Sequence, residues 1–328
     1  MPSAVVLFSG GLDSMLAVRI LQLQGFEIEA LNIRTIYTCC QLASAEAAAA
    51  MGARLTVLPV EDNYLEVIRN PLYGYGRGAN PCVDCRIHMV ETAGRFMEEI
   101  GACLVATGEI LGQRPMSQQR QHLGIIERRS GMHGRLLRPL SARLLPPTVP
   151  EQEGLVDREK LYALQGRGRR EVIELGKALQ VPKLPTPSTG CMLTEPSFAR
   201  RVYDLLQCHP DATRWDFELL KSGRHVRFDR TTKVVLGRNA DDNAVLASFA
   251  ARQDARASVL LTPRDFRGPN ALLLGRFDEP ALAFAGALVL RWSRPKDLTG
   301  GEIGIQQGDR HRVIHVERSE TAELAKTL

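Results

Sequence analysis

Two short stretches hold the residues whose types and spacing could do chemistry. The first is Ser9-Gly10-Gly11-Leu12-Asp13-Ser14, directly behind the apolar run Ala4–Phe8 and ahead of a run of helix formers. A strand, a glycine-bearing turn and a helix start, in that order, aim backbone N–H groups at one point. The helix dipole adds positive potential there, so the point suits a phosphate. Gly10 and Gly11 allow the turn and the close approach of an anion. Ser9 and Ser14 add hydroxyl donors, and Asp13 is placed to hold Mg²⁺ or to orient a nucleotide. The stretch lacks a lysine and does not read G-x-x-x-x-G-K-[ST], which sets it apart from the loop of motors and kinases. Serine and aspartate also cap helices in many proteins, but capping alone leaves the paired glycines and the second serine unexplained.

The second stretch is Asn80-Pro81-Cys82-Val83-Asp84-Cys85, with Cys191 far along the chain in Ser188-Thr189-Gly190-Cys191. Three thiolates fit a [4Fe–4S] cluster with one iron left open to an outside ligand such as sulfide. A structural zinc site usually needs four ligands, so zinc would have to recruit Cys39, Cys40 or His88. A redox or persulfide pair is the third reading. Cys103 and Cys208 read as core residues. The chain has seven cysteines, an odd number for a secreted disulfide framework, and its N-terminus shows no signal-peptide pattern. Metal or redox use in a cytoplasmic protein is the expectation.

These residues need elements to hold them. The chain has 328 residues, a net charge of +5 and no apolar run long enough to cross a membrane. Ala4–Phe8, Glu27–Ile33, Arg54–Val60 and Cys103–Thr107 read as buried strands, and Leu12–Leu23, Gln41–Met51 and Arg86–Ile100 as helices between them. The alternation predicts an α/β domain built on a doubly wound parallel sheet, residues 1–198. Asp157–Gln180 reads as a basic helix between two proline-rich breaks, and Ser197–Cys208 as another helix. Beyond it, short strand-like runs (HVRF, KVVLG, VLLT, ALLLG, LVLRW) predict a smaller α+β domain, residues 199–328.

On these residues the sequence resembles a known family. SGGLDS looks like the PP-loop of ATP pyrophosphatases, which cleave ATP between the α and β phosphates and adenylate a carbonyl oxygen. With NPCVDCR, VATGEI and STGC following in order, Pro2–Leu206 is similar to the tRNA 2-thiouridine synthases. Cys82 stands where that family usually has an aspartate, and Cys191 sits one position early in the last element. The C-x-x-C form resembles the cluster-dependent thiolases. The resemblance implies ATP and Mg²⁺ at Ser9, Gly10, Gly11, Asp13, Ser14 and Gly108. It implies a [4Fe–4S] cluster on Cys82, Cys85 and Cys191, with Asp13 and the three cysteines as catalytic residues. It also implies tRNA and a sulfur donor as partners, and replacement of a uridine carbonyl oxygen by sulfur.

The RNA expectation has support of its own. Thr107–Gln119 follows the fourth strand, where open α/β sheets bind ligands. It offers Gln113, Arg114, Ser117 and Gln118 as contacts to nucleotide or RNA. Arg167, Arg169 and Arg170 crowd one stretch, and Arg200–Arg238 carries nine Lys/Arg against five Asp/Glu. Basic faces attract phosphate backbones, although solvated helix faces are also charged. Gly237-Arg238-Asn239 with Asn243 resembles an element of the RNA-binding domain found in ribosome quality-control proteins. Lys221, Arg224, Arg238 and Asn239 are its candidate contacts, and a turn capped by Asn239 and Asn243 explains the same residues structurally. Two other functions compete. An amide-forming PP-loop ligase leaves the cysteines unexplained, and a non-catalytic RNA-binding protein with a structural zinc leaves SGGLDS unexplained.

Overall fold

A computed structural model describes residues 1–37, 41–182 and 190–328. Cys39, Cys40, Ser188 and Thr189 lie outside the described residues. The chain forms two compact units, Met1–Met192 and Leu193–Leu328.

The first unit runs β1 (Ser3–Leu7), α1 (Leu12–Gln22), β2 (Glu27–Arg34), α2 (Gln41–Ala50), β3 (Arg54–Pro59), α3 (Tyr64–Arg69), α4 (Cys82–Glu99), β4 (Leu104–Thr107), α5 (Arg120–Arg129), β5 (Leu136–Leu137), α6 (Val149–Gln152) and α7 (Arg170–Ala178). The sheet order is β3-β2-β1-β4-β5, and every pairing is parallel. The inner strands β1 and β4 are covered on both faces, so they read as near-continuous apolar runs rather than alternating ones. Val5, Val6, Leu104 and Val105 are fully buried accordingly. On α1, Leu16, Ile20 and Leu21 pack into the same core. Each such side chain contributes about 1.5–3 kcal/mol by leaving water. The strand order reverses between β1 and β4. Their carboxyl ends open the crevice where doubly wound sheets take ligands, and both Ser9–Ser14 and Gly108 follow those ends.

The second unit runs α8 (Pro196–Cys208), α9 (Arg214–Leu219), β6 (Arg224–Arg227), β7 (Lys233–Leu236), α10 (Ala240–Ala251), β8 (Ser258–Pro263), β9 (Ala271–Leu274), α11 (Glu279–Arg291), β10 (Gly300–Gln307), β11 (Arg310–Glu317) and α12 (Glu320–Leu324). Six strands in the order β11-β10-β8-β9-β7-β6 form one sheet, antiparallel throughout. One core packs α11 on the sheet through Phe284 and Leu288. A second gathers Trp215, Leu246 and Phe249 with Val235 and Leu272.

Three readings of single elements change. LVLRW is the end of α11 rather than a strand: Asp278 caps that helix by accepting from the Ala281 N–H, and Pro280 sits in its first turn. Asp157–Gln180 is broken: a single 3₁₀ turn at Arg158–Lys160 and a loop carrying Gly166 and Gly168 precede α7. The helix expected from Arg86 starts at Cys82, so the cysteine pair occupies its first turn.

Candidate active site

The Ser9–Ser14 loop is packed so closely at Gly10 that only glycine fits there. Gly10 has φ +76°, and a Cβ there would lie 2.9 Å from Cα of Ser44 on α2. A Cβ on Gly108 would lie 2.4 Å from the Asp13 carbonyl carbon and oxygen and 2.6 Å from the Ser14 nitrogen. The loop after β4 therefore lies flat on the start of α1. Within the nucleotide loop the Ser14 hydroxyl donates to the Gly11 carbonyl at 2.8 Å. Ser9 Oγ accepts from the Gly11 N–H at 3.3 Å and lies 3.4 Å from Ser14 Oγ. Gln113 Nε2 donates to Asp13 Oδ2 at 3.0 Å. Burial raises the Asp13 carboxyl, and the Gln113 hydrogen bond and the charges of Arg169 and Arg114 pull against it. Arg114 and Arg169, expected as RNA contacts, thus bring positive charge to the nucleotide loop.

The cysteines form the second half of the site. Cys82 and Cys85 are half-buried in the first turn of α4. The Cys82 thiol donates to Ser117 Oγ at 3.2 Å, and Cys85 Sγ lies 3.1 Å from the Tyr64 hydroxyl. Asp84, between them, accepts the N–H groups of Leu72 and Tyr73 at 2.9 and 3.1 Å, which ties the preceding loop to the pair. Burial pushes the Cys85 thiol up to about 11; Tyr64 and Arg86 oppose that rise, and negative charge on Cys191 and Cys82 adds to it. Among the described residues no three His, Cys, Asp or Glu side chains gather as a site for a metal ion. A cluster asks each cysteine to reach a different iron, so its ligands need not converge on one point. Cys82, Cys85 and Cys191 are half-buried thiols, the donor type that a cluster takes.

Sequence reasoning missed the charges behind the cysteines. Arg86 Nε lies 3.3 Å from Glu109 Oε1, and Arg138 Nε donates to Glu109 Oε2 at 3.1 Å. Arg138 also pairs with Glu127. Arg138 and Glu109 are each 2% exposed. Burial alone would raise Glu109, but Arg86 and Arg138 hold it below the ordinary carboxylate range. The one sequence signal was the glutamate in VATGEI, a charge directly after a buried strand.

The remaining candidates separate by place. Gln118 is buried, and its side-chain oxygen accepts from the Arg114 N–H inside the loop at 3.0 Å. Arg167, Arg169 and Arg170 are exposed, with Arg170 paired to Glu174. In the second unit Arg224 donates to the Gly237 carbonyl. Arg238 forks onto Asp242, and Asn239 caps α10. A Cβ on Gly237 would meet Asn243 Oδ1 at 2.0 Å, and that oxygen accepts from the Asn270 N–H. The glycine and the two asparagines are therefore structural staples. Lys221, Arg224 and Arg238 flank them on two adjacent turns.

Comparison with known proteins agrees with this layout. Residues 3–127 match the family model described as the tRNA methyl transferase HUP domain. Two curated relatives, the tRNA-specific 2-thiouridylases MnmA of two Acidithiobacillus ferrooxidans strains, are each 31% identical over 115 residues. The first unit is similar to these proteins over its N-terminal part. Residues 223–327 match the family model described as the NFACT protein RNA binding domain. The match to the thiouridylases covers 32% of this chain and 33% of theirs, so the chain spans about a third of their length. Among solved structures, a 4-thiouridine synthetase–RNA complex with bound ATP aligns with TM-score 0.38 and 19% identity, over 66% of this chain and 53% of that one. A predicted subunit of tRNA methyltransferase from Methanocaldococcus jannaschii aligns with TM-score 0.36 and 16% identity, over 54% of this chain and 76% of that one. Among the described residues no helix is long and apolar enough to cross a membrane.

Proposed function

We propose that the protein is an ATP-dependent tRNA sulfurtransferase that adenylates a uridine carbonyl oxygen and replaces that oxygen with sulfur. The observation that carries the reading is the pairing, in one unit, of a glycine-bearing loop at the sheet's switch point with a cysteine pair in the first turn of α4 and a third cysteine, Cys191.

The chemistry balances in two steps. The uridine carbonyl oxygen attacks the α-phosphorus of ATP and pyrophosphate leaves. Sulfur then attacks the activated ring carbon, and AMP departs with the original oxygen. The backbone of Gly10 and Gly11 and the hydroxyls of Ser9 and Ser14 would carry the phosphates, where preorganised donors stabilise charge as it develops. Asp13 keeps one carboxylate oxygen outside its Gln113 hydrogen bond and would hold Mg²⁺ there, as carboxylates do alongside substrate phosphates. Arg114 and Arg169 would neutralise the departing pyrophosphate.

Cys82, Cys85 and Cys191 would hold a [4Fe–4S] cluster, which supplies an open iron at which sulfide can wait near the activated carbon. The NFACT-type unit would grip the tRNA body through Lys221, Arg224 and Arg238. Phosphate contacts of that kind position an RNA while its target base is read elsewhere. The reading places the protein in the cytoplasm, with tRNA and a sulfide or persulfide carrier as partners.

Two assays test the proposal. Protein purified without oxygen should carry about four irons with matching acid-labile sulfide. It should release AMP and pyrophosphate from ATP only when tRNA is added. Stoichiometric zinc without iron would remove the cluster, and ATP cleavage indifferent to tRNA would remove the substrate.

A further inference from the structure

One segment touches both halves of the site. Thr107–Gln118 leaves the end of β4, and four of its residues make cross-contacts, two toward the nucleotide loop and two toward the cysteines. On the nucleotide side, Gly108 is pressed on the Asp13–Ser14 backbone with no room for a Cβ. Gln113 donates to the Asp13 carboxylate at 3.0 Å. On the cysteine side, Glu109 lies 3.3 Å from Arg86, the residue directly after Cys85. Ser117 accepts from the Cys82 thiol at 3.2 Å.

The segment is braced from behind. Glu109 is gripped by Arg138 at 3.1 Å, and the Thr107 hydroxyl donates to it at 3.3 Å. Gly112 N–H donates to the Gln118 carbonyl at 2.7 Å, and Gln118 closes back onto the Arg114 N–H. Ser117 and Gln118 are buried. A braced, close-packed segment moves as a piece rather than deforming gradually, because packed interiors transmit displacement.

We infer that Thr107–Gln118 couples nucleotide occupancy at Asp13 to the placement of the cysteine pair, with Glu109 and Ser117 as the positioning residues. The inference rests on the proposed binding of ATP at Ser9–Ser14. Triphosphate and Mg²⁺ arriving at Asp13 change the charge facing Gln113 and fix the backbone under Gly108. Glu109, the next residue along, carries that change to Arg86, and Ser117 carries it to Cys82. The physical content is a free energy of coupling between two ligand sites, and such couplings run in both directions. ATP would set the first turn of α4, and occupancy of the cysteines would tune nucleotide affinity.

Hydrogen exchange on the full-length protein tests it, with α,β-methylene-ATP and Mg²⁺ as the probe. In the natural protein the nucleotide should slow exchange over residues 9–16 and, by about fivefold or more, over residues 82–88. In Glu109→Gln the protection of 9–16 should remain while that of 82–88 vanishes. Should Glu109→Gln fail to fold with its arginines unpaired, Arg86→Gln cuts the same link from the other end. Arg86 is 26% exposed, and the Glu109–Arg138 pair survives its loss. A purely structural loss would raise exchange over 82–88 with and without nucleotide alike, so the ratio is the quantity read. Nucleotide-dependent protection of 82–88 that persists in both variants overturns the inference. So does protection confined to 9–16 in the natural protein, which leaves the ATP reading intact. No protection at 9–16 in the natural protein overturns the ATP reading itself and the coupling with it.

Discussion

The hydroxyl of Tyr64 lies 3.1 Å from Sγ of Cys85. Tyr64 is 2% exposed. Burial and the neighbouring Cys85 hold its phenol well above its usual range. At neutral pH its hydroxyl keeps its proton beside the sulfur, and a hydrogen bond donated from it favours the thiolate. Tyr64→Phe should therefore push the Cys85 thiol higher still. In metal-free protein at pH 8, alkylation of Cys85 by iodoacetamide should slow several-fold, as read by peptide mass spectrometry. An unchanged rate would mean that Tyr64 only packs.

Gly108 should be the least replaceable residue of the loop after β4. Its would-be Cβ meets backbone, at 2.4 Å from the Asp13 carbonyl atoms, and backbone cannot turn aside as a side chain can. Gly108→Ala should force the start of α1 away and weaken ATP binding by more than about tenfold, the equivalent of ~1.4 kcal/mol. Equilibrium binding of ATP checks this. Gly131→Ala makes a useful control, since a Cβ there meets nothing within 4 Å and any cost is backbone strain remote from ATP.

The second unit carries a pH signature of its own. Lys233 is 2% exposed and is held down to about 8, by burial first, with Asp204 restoring part of the loss. Between pH 8 and 10.5 the unfolded chain keeps a proton that the folded chain has released, so stability rises with pH across that window. His225 is buried and held well below its usual value. The unfolded chain gains its proton there alone as pH falls below about 6.5, and stability falls with it. Lys233→Met should stabilise the unit at pH 7 by about 1–3 kcal/mol and flatten the alkaline rise. Asp204 stays satisfied by its two-pronged bond to Arg227. Both tryptophans of the chain, Trp215 and Trp292, belong to this unit, so their fluorescence follows its unfolding.

The turns at Lys221–Arg224 and Gly237–Asn239 should divide by role. Lys221→Ala and Arg224→Ala should each weaken tRNA binding across sequences and lower the salt slope of the affinity by about one. Asn239→Ala should cost about 1 kcal/mol of stability through loss of the α10 cap and leave the salt slope alone. Filter binding over a salt series, with tryptophan melts beside it, separates the two.

Much of this architecture can be read in the sequence, and what cannot has identifiable causes. The inner strands β1 and β4 announce themselves because burial on both faces makes them nearly continuous apolar runs. The start of α4 is hidden because Pro81 and a C-x-x-C carry no ordinary cap, and among the described contacts no side chain caps it. LVLRW looks like a strand because its apolar content is right for either element; the deciding signal, Asp278-Glu279-Pro280, lies upstream at the start of α11. The Arg86–Glu109–Arg138–Glu127 chain joins residues from four places in the sequence. No local pattern announces a pairing made only by the fold. The resemblance reached the loop at Ser9–Ser14, the cysteines and VATGEI, but not the contacts that Glu109 and Ser117 make toward the cysteine pair.

The central claim is that ATP is cleaved here to put sulfur into tRNA. The direct measurement is the nucleoside content of unmodified tRNA after incubation, without oxygen, with protein, ATP, Mg²⁺ and sulfide. Thiouridine should appear in step with AMP and pyrophosphate. It should be absent with Asp13→Ala, which keeps its iron but cleaves no ATP, and with Cys191→Ala, which loses the cluster. Tight ATP and tRNA binding with full iron content, but no thiouridine from the natural protein, would contradict the account. Thiouridine formed at the natural rate by Cys191→Ala would do the same for the three-cysteine site.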